Sequence, residues 1–232
     1  MKLLTTFVFA LALFISSAHS ATVTLIQDEF TRSGPLAGSY AAPIGGVWSG
    51  GGNAYSTNGT QVVVAPSTSG GYYYQSISLQ LNSTYQLIVA IDNTTKASQD
   101  WMGFGFGGNV GTGDSILLRG NGDAVAFETA GTYATLPGPT SDLFVIQLVT
   151  GVTDLTNSSV TYFRFGVGSG GSLIGAASHP TDATNFNRVF IQDIANVTGT
   201  YDNFILTVDT VPEPSSLLLL GVAGLGLVRR RR

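Results

Sequence analysis

Short β-forming runs separated by turn-forming residues constrain the fold of this chain more than any other feature. Runs rich in Val, Ile, Phe, Tyr and Thr alternate with Gly, Ser, Thr and Asn across residues 21–210, and the chain of 232 residues contains 30 glycines. This pattern is typical of short strands joined by turns. The predicted strands are residues 22–26, 61–65, 72–79, 85–91, 101–106, 115–119, 124–128, 143–150, 160–167, 188–194 and 203–208.

No stretch of this region combines helical periodicity with helix caps, so the sequence predicts an all-β domain. Eleven strands in one domain favour a two-sheet antiparallel jelly-roll sandwich over a smaller immunoglobulin-type module. The run at residues 160–167 alternates clearly, with Tyr162 and Arg164 on one face and Phe163 and Phe165 on the other.

The N-terminus has the features of a secretory signal peptide. Lys2 precedes an apolar stretch at residues 3–15, and small residues follow it. Ala18 and Ser20 lie three residues and one residue before the expected cleavage site, where signal peptidase requires small side chains. We therefore expect cleavage ahead of Ala21 and export of the remaining chain.

The C-terminus combines a proline clip, an apolar segment and a cluster of positive charge. Pro212, Glu213 and Pro214 cannot continue a strand or a helix, because proline lacks an N–H and restrains its neighbour. Residues 215–228 carry no charge, and they span about 21 Å of helix at roughly 1.5 Å per residue. Arg229, Arg230, Arg231 and Arg232 end the chain. The segment predicts a short transmembrane helix, shorter than the roughly 20 residues of a full span, with its arginines in the cytoplasm.

This C-terminal arrangement resembles the PEP-CTERM sorting signal of exported bacterial proteins. The resemblance implies recognition by a membrane-embedded exosortase, cleavage near the Pro-Glu-Pro motif and release from the inner membrane. It also implies an association with exopolysaccharide and biofilm. The expected organisation is a signal peptide at residues 1–20, a β-sandwich at 21–210 and a sorting signal at 211–232.

Three short pieces of the body resemble the concanavalin-A/laminin-G-type jelly rolls of exported bacterial proteins. The body opens with Asp-Glu-Phe at residues 28–30, continues with Trp48 in a Gly-rich loop, and closes with Asp-Asn-Phe at residues 202–204. That family includes lectins, glucanases and structural modules, so the resemblance implies a fold and leaves the function open.

The charge and cysteine content exclude several classes of function. The body holds five basic and thirteen acidic residues, a net charge of −8, whereas the whole chain carries −4. An acidic, lysine-poor surface argues against nucleic acid and anionic glycans, and it permits divalent cations and neutral sugars. The chain has no cysteine, which excludes thiol catalysis and cysteine-ligated zinc. His179 is the one histidine of the body, and we expect it in a loop before Pro180.

Four aspartates are candidates for a calcium site. Asp114 and Asp123 lie in Gly-rich turns nine residues apart, and hard cations prefer oxygens on flexible turns. Asp28 and Asp202 are an alternative pair, because they would meet if the first and last strands of the body pair. The turns also have a purely structural explanation, since Asp is common at such positions.

Five aromatic residues are candidates for glycan contact: Trp48, Tyr55, Tyr72, Tyr73 and Tyr74. Sugar rings stack on the exposed faces of Trp and Tyr, which combine an apolar body with a polar tip. The three consecutive tyrosines lie in one predicted strand, so they must divide between its two faces. We expect Trp101, beside a glycine-rich run, to belong to the core.

The sequence favours a protein without enzymatic activity. The body has only two glutamates, no strand motif of paired carboxylates, and no Gly-x-Ser-x-Gly elbow. Our hypothesis is an exported protein, held briefly at the inner membrane and delivered to the cell surface or extracellular matrix as a structural or carbohydrate-contacting module. The alternatives are a jelly-roll polysaccharide hydrolase or lyase and a calcium-dependent adhesin.

Overall fold

The computed structural model is built of β-strands. It describes residues 21–52, 55–66, 70–94, 100–108, 113–119, 124–127, 133–136, 141–166, 171–194 and 196–210, and side chains in these ranges except at 124–127, 133–136 and 141. The described residues contain seventeen strands and no helix. The strands are β1 (Ala21–Asp28), β2 (Ser33–Pro35), β3 (Pro43–Ile44), β4 (Ser49–Gly52), β5 (Tyr55–Asn58), β6 (Val62–Val64), β7 (Gly71–Ser76), β8 (Ser83–Asn93), β9 (Trp101–Gly107), β10 (Gly113–Arg119), β11 (Ala124–Phe127), β12 (Tyr133–Leu136), β13 (Ser141–Val149), β14 (Ser158–Gly166), β15 (Ser172–Thr181), β16 (Arg188–Asp193) and β17 (Gly199–Thr210).

The larger sheet has ten of these strands. Eight of them follow the order β15-β14-β13-β8-β17-β6-β5-β2, while β1 pairs with β17 and β3 pairs with β1. Phe144 of β13 lies opposite Val89 of β8 and Arg164 of β14 in antiparallel register. The last strand of the body therefore lies inside this sheet, paired with the first.

The smaller sheet has seven strands in the order β12-β11-β10-β9-β16-β7-β4. Its pairs are also antiparallel, and Phe104 of β9 lies opposite both Ile191 of β16 and Ile116 of β10. β9, β10, β16 and β7 are inner strands, so they present a continuous surface on each side of the sheet.

The core lies between the two sheets. Alternate residues of β8 are buried, among them Tyr85. Rings from the two layers meet there: Trp48 packs edge-on against Phe204 at 4.9 Å between ring centres, and Phe104 lies 6.4 Å from Phe144. Each buried side chain of this size contributes roughly 1.5–3 kcal/mol through the hydrophobic effect. The sandwich forms one compact unit, Val23–Val208.

The all-β prediction and the two antiparallel sheets are confirmed, and each of the eleven predicted strands corresponds to an observed strand. The prediction missed six further strands, and the longest of them is β15. It includes His179, which was expected in a loop, and it contains Gly175 and Pro180. An edge strand tolerates both residues, because its outer side has no ladder partner that needs an N–H.

The predicted signal peptide and the predicted C-terminal helix lie outside the described residues. Within the described part of the chain, no helix is long and apolar enough to cross a membrane.

Candidate functional site

One side of the seven-stranded sheet faces away from the core, and we call it the outward face. On β9, Phe104 and Phe106 belong to the core, so strand alternation turns Gly103, Gly105 and Gly107 outward. The strand registers then place on the outward face Ser49 and Gly51 of β4, Tyr72, Tyr74 and Ser76 of β7, Arg188, Phe190 and Gln192 of β16, Trp101 and the three glycines of β9, and Ser115, Leu117 and Arg119 of β10.

Three aromatic rings and one guanidinium group form a cluster on the outward face, which we call the Tyr74 cluster: Tyr72, Tyr74, Arg188 and Phe190. The Tyr72 ring lies 5.1 Å from Phe190 and 5.7 Å from Tyr74, and Arg188 Cζ lies 4.0 Å from the centre of the Tyr74 ring. Tyr72 and Phe190 are buried but are not members of the core cluster between the sheets. They are therefore a second apolar layer on the opposite side of the sheet, with Tyr74 and Arg188 half-buried around it.

The hydroxyl group of Tyr72 is buried without a hydrogen-bond partner among the described residues. The whole residue is 7% exposed. Burial raises the pKa of Tyr72 above its usual value, and Arg188 partly offsets that rise, first through its side-chain interaction with the hydroxyl and then through its charge. A buried hydroxyl left without a partner costs about 1–3 kcal/mol. The Tyr74 cluster therefore contains a polar group that a bound ligand or a water molecule would satisfy.

A second aromatic–arginine pair lies at the other end of the outward face. Trp101 of β9 lies opposite Arg119 of β10, and both are half-buried. Between this pair and the Tyr74 cluster, β9 presents only glycines. A Cβ on Gly103 would lie 2.6 Å from the carbonyl oxygen of Ile116, so the two strands approach too closely there for a side chain.

The predicted glycan-contacting residues divide between the core and the outward face. Trp48 is fully buried and donates its Nε1 hydrogen to Asp28 Oδ2 at 2.7 Å. Tyr55 is buried and stacks on Tyr73 at 4.5 Å. These three rings have no exposed face for a sugar, because they fill the space between the sheets.

Tyr72 and Tyr74 lie on the outward face, as the alternation of the three tyrosines predicted. The expectation that Trp101 belongs to the core is wrong. Trp101 is half-buried and lies on the same, outward side of β9 as Gly103, whereas Phe104 lies on the inward side. The sequence analysis did not find Arg119, Arg188, Phe190 and Gln192 as site residues.

Asp28 is already occupied by protein donors. Its two carboxylate oxygens accept hydrogen bonds from Arg32 Nη1 and Nη2 at 2.7 and 2.8 Å, and Oδ1 also accepts from the Phe30 backbone N–H at 2.9 Å. With the Trp48 bond added, both oxygens are engaged. Asp28 is therefore a structural ion-pair residue and offers calcium no available oxygen.

The other described calcium candidates lie in different sheets: Asp114, predicted in a turn, belongs to β10 of the seven-stranded sheet, and Asp202 belongs to β17 of the ten-stranded sheet. Asp114 is fully buried and accepts hydrogen bonds from Thr181 and Tyr162, with His179 Nε2 at 3.3 Å. Asp202 accepts a hydrogen bond from the Asn203 backbone at 2.7 Å, and Asp123 lies outside the described residues. Across the residues the structure describes, no group of three His, Cys, Asp or Glu side chains could hold a metal ion.

A fully buried ion pair joins two neighbouring strands on the core side of the ten-stranded sheet. Arg164 Nε of β14 donates to Asp142 Oδ2 of β13, and neither side chain is exposed. The guanidinium also lies 5.3 Å from the Phe144 ring. Removing either residue would leave the charge of the other buried without a counter-charge, so the two charges are tolerated in the core only as a pair.

The predicted sorting residues, Pro212, Glu213, Pro214, Arg229, Arg230, Arg231 and Arg232, lie outside the described residues. Residues 210–232 match the family described as the PEP-CTERM protein-sorting motif. The chain carries a PEP-CTERM sorting motif. The resemblance seen in the sequence is therefore confirmed, and this motif is that of an exported protein sorted by an exosortase. The comparison with curated proteins found no match for this chain.

Solved structures share the fold of the body at low sequence identity. Lectin II from Ulex europaeus matches with a TM-score of 0.50 at 10% identity, over 82% of this chain and 99% of the lectin. The exoplasmic/lumenal domain of VIP36, in its Ca2+/Man3GlcNAc-bound form, matches with a TM-score of 0.53 at 10% identity, over 75% of this chain and 90% of that domain. A sialidase matches with a TM-score of 0.53 at 9% identity, over 84% of this chain but only 19% of the sialidase. The predicted jelly roll is confirmed as a legume-lectin-like fold.

Proposed function

We propose that this protein is an exported surface or matrix protein that contacts polysaccharide through the outward face of its jelly roll. Signal peptidase would remove residues 1–20, and the C-terminal segment would hold the chain briefly at the inner membrane. An exosortase-type enzyme would then process it near Pro212, Glu213 and Pro214, which the sorting motif at residues 210–232 supports.

The observation that carries the binding proposal is the Tyr74 cluster. Aromatic rings that combine an apolar body with a polar tip suit the faces and hydroxyl groups of sugars. The rings of Tyr72 and Tyr74 lie on one inner strand, which makes their spacing rigid. The unpartnered hydroxyl of Tyr72 supplies a polar group that a sugar hydroxyl would satisfy.

We propose binding rather than catalysis. Glycoside hydrolysis needs two carboxyl groups that flank the scissile bond. Among the side chains described on the outward face, none is an acid. Products released from a bound polysaccharide, detected as new reducing ends or unsaturated sugars, would favour the hydrolase or lyase alternative over this proposal.

The binding proposal is tested with the full-length protein, purified in mild detergent, on an array of neutral and acidic glycans. Tyr74→Ala should weaken binding roughly three- to tenfold, since one aromatic contact contributes about 0.5–1.5 kcal/mol. Leu173→Ala is the matched control, because Leu173 is 55% exposed and belongs to β15 of the ten-stranded sheet. Equal losses in both variants, or no binding by the unmodified protein, would overturn the proposal. Loss of binding in a chelator would favour the calcium-dependent adhesin.

The sorting proposal has a separate test in the native host. Combining Pro212→Ala with Glu213→Ala should leave the unprocessed chain in the membrane fraction, whereas Pro66→Ala, at an exposed proline of the body, should be processed normally. Unchanged release of the double variant would contradict a role for the Pro-Glu-Pro motif in processing.

A further inference from the structure

A hairpin at residues 38–48 leads into β4, and we call it the Tyr40 hairpin. Tyr40 lies opposite Val47 in an antiparallel bridge. Backbone hydrogen bonds of 2.9 and 2.8 Å flank this pair, so it is of the non-hydrogen-bonded type, in which opposite side chains approach most closely. Tyr40 is 68% exposed and Val47 is 39% exposed. The hairpin therefore presents to solvent an aromatic ring beside an aliphatic side chain.

The exposed pair of the Tyr40 hairpin points to the same side as the Tyr74 cluster. Trp48 is buried in the core between the sheets, so strand alternation turns its neighbours Val47 and Ser49 to the opposite side. Ser49 lies opposite Tyr74 on the outward face. Directly opposite residues share one side of a sheet, so Tyr40 lies on that side with Val47. The outward face therefore continues past β4 onto the hairpin.

The seven-stranded sheet anchors the hairpin. Gln75 of β7 is buried, and its Oε1 accepts a hydrogen bond from the Gly46 backbone N–H at 2.8 Å. Gly45 has a φ of 144°, and a Cβ there would lie 2.7 Å from Ala41 Cβ, so the turn packs too closely for a side chain. Tyr40 is thus carried by an anchored turn, which suits a ring that must keep a fixed position for a ligand.

The surface between Tyr74 and Tyr40 is exposed and, among the residues that the structure describes there, carries no charged side chain. All four residues of β4 (Ser49–Gly52) are exposed, and so is Ser76 at the end of β7. β4 contains only serine and glycine, so none of its side chains is bulky. Arg188 is already engaged within the protein, on the Tyr74 ring. An uncharged surface on a body with a net charge of −8 favours a neutral ligand.

The two tyrosines are too far apart for one sugar ring. The strand that carries Val47 and Ser49 lies between the strand of Tyr74 and the strand of Tyr40. Two strand spacings of roughly 4.8 Å place the Cα atoms of the tyrosines about 10 Å or more apart. A linear chain of several sugars reaches both rings, whereas a disaccharide reaches only one of them.

We propose that the Tyr40 hairpin is a second contact for the glycan bound at the Tyr74 cluster, and that this glycan is a linear, neutral, β-1,4-linked polysaccharide. The inference rests on the proposed glycan contact and names the class of glycan. Chains of this class are extended ribbons whose sugar rings present flat C–H faces, and such faces pack against aromatic rings. Tyr74 is half-buried with Arg188 over its ring, so Tyr40 supplies a more exposed ring for this packing.

The test compares a disaccharide with a hexasaccharide in the cello- and manno-oligosaccharide series. Binding is measured by calorimetry with the full-length protein in mild detergent. The hexasaccharide should bind at least about tenfold more tightly than the disaccharide, because engagement of the second ring becomes intramolecular once the first is bound. The disaccharide reports contact at a single ring.

Tyr40→Ala should weaken hexasaccharide binding roughly three- to tenfold and change disaccharide binding by less than about twofold. Tyr40→Phe keeps the ring and should bind the hexasaccharide within about twofold of the unmodified protein. Leu173→Ala, at an exposed apolar residue of the ten-stranded sheet, is the control and should bind both oligomers normally. Thermal melting checks that every variant is folded.

Three results overturn this inference and leave the proposed function standing, provided that Tyr74→Ala still weakens glycan binding. They are equal affinity of the unmodified protein for both oligomers, hexasaccharide binding by Tyr40→Ala as tight as that of the unmodified protein, and binding confined to glycans outside the two series. A smaller particle mass of Tyr40→Ala in analytical ultracentrifugation would also overturn it, because the hairpin would then contact a second copy of the chain. If no glycan binds, both proposals fall.

Discussion

Arg164 lies on the core side of the ten-stranded sheet, and Arg188 lies on the outward side of the seven-stranded sheet. Both guanidinium groups lie near an aromatic ring, but their burial and charge partners differ. Arg164 is fully buried, ion-paired with Asp142 and placed beside the Phe144 ring. Arg188 is half-buried and stacked on Tyr74 beside a tyrosine hydroxyl without a partner. The Arg164–Asp142 pair compensates its own buried charges, whereas the Tyr74 cluster holds a buried hydroxyl without a hydrogen-bond partner among the described residues. This difference is why we propose the outward face, and not the ion pair, as the contact surface for a ligand.

The three consecutive tyrosines show the same contrast within one strand. Tyr73 faces inward and stacks on Tyr55, whose hydroxyl donates to Asp193. Tyr72 and Tyr74 face outward. Residue type alone therefore does not identify a binding residue, and the side of the strand decides whether a tyrosine supports the fold or is available to a ligand.

The largest expected effect is on the buried ion pair. Arg164→Met would leave Asp142 as a buried, uncompensated charge and should lower the free energy of unfolding by about 3–5 kcal/mol. Replacing both residues, as Arg164→Met with Asp142→Leu, should restore most of that loss. Arg188→Met should cost less than Arg164→Met, because Arg188 is only half-buried. Urea unfolding curves measure all three, and equal costs for the two single variants would remove the contrast between the clusters.

The next effect concerns the buried hydroxyl of Tyr55. Tyr55→Phe removes the donor to Asp193, which then keeps the Gly71 backbone N–H at 2.7 Å. The free energy of unfolding should fall by about 1–3 kcal/mol. Tyr74→Phe, on the outward face, should change the free energy of unfolding by less than about 0.5 kcal/mol. A larger cost at Tyr74 than at Tyr55 would contradict the assignment of the two faces.

Alkaline pH should destabilise the core through its buried tyrosines. Burial raises the pKa values of Tyr55 and Tyr201 well above 10.0. The neutral phenols therefore stabilise the fold fully below the unfolded pKa near 10, and that contribution is lost as pH rises toward the folded values, by up to about 1.4 kcal/mol per pH unit for each group. The melting temperature should fall steeply above pH 10, and Tyr201→Phe should show a shallower fall. The same slope in Tyr201→Phe as in the unmodified protein would argue against the raised pKa.

The smallest expected effect on stability is at Tyr72. Its hydroxyl forms no hydrogen bond with a described residue, so Tyr72→Phe should leave the free energy of unfolding unchanged or raise it by up to about 1 kcal/mol. Glycan affinity should nevertheless fall about threefold if the hydroxyl donates to a sugar. A clear loss of stability in denaturant unfolding would mean that the hydroxyl is satisfied within the fold.

The strands were predictable where apolar and polar residues alternate or where β-branched and aromatic residues cluster. β15 was missed because Gly175 and Pro180 are atypical of strands, and only its place at the sheet edge makes them acceptable. The burial of Trp48 was also missed, since the loop that carries it is glycine-rich and its partner Asp28 lies twenty residues earlier.

The outward face was harder to predict than the fold. β16 has the sequence Arg-Val-Phe-Ile-Gln-Asp, and five of its six residues are buried, so no alternation distinguishes its two sides. Arg188 and Phe190 become site residues only through their register with Tyr74 and Ser76 of β7. The buried pair of Arg164 and Asp142 likewise joins residues 22 positions apart, which local sequence patterns do not reveal.

The position of β17 has a consequence for the timing of folding. This strand pairs with β8 and β6, and also with β1, but it is the last to be synthesised, and the sorting segment begins directly after it. If the chain crosses the membrane N-terminus first, β1, β6 and β8 cannot pair with β17 until residue 210 has crossed. Under the proposed route, completion of the sandwich and arrival of the sorting segment at the membrane would therefore nearly coincide, so that a partly exported chain would offer an exosortase neither a complete sandwich nor a substrate.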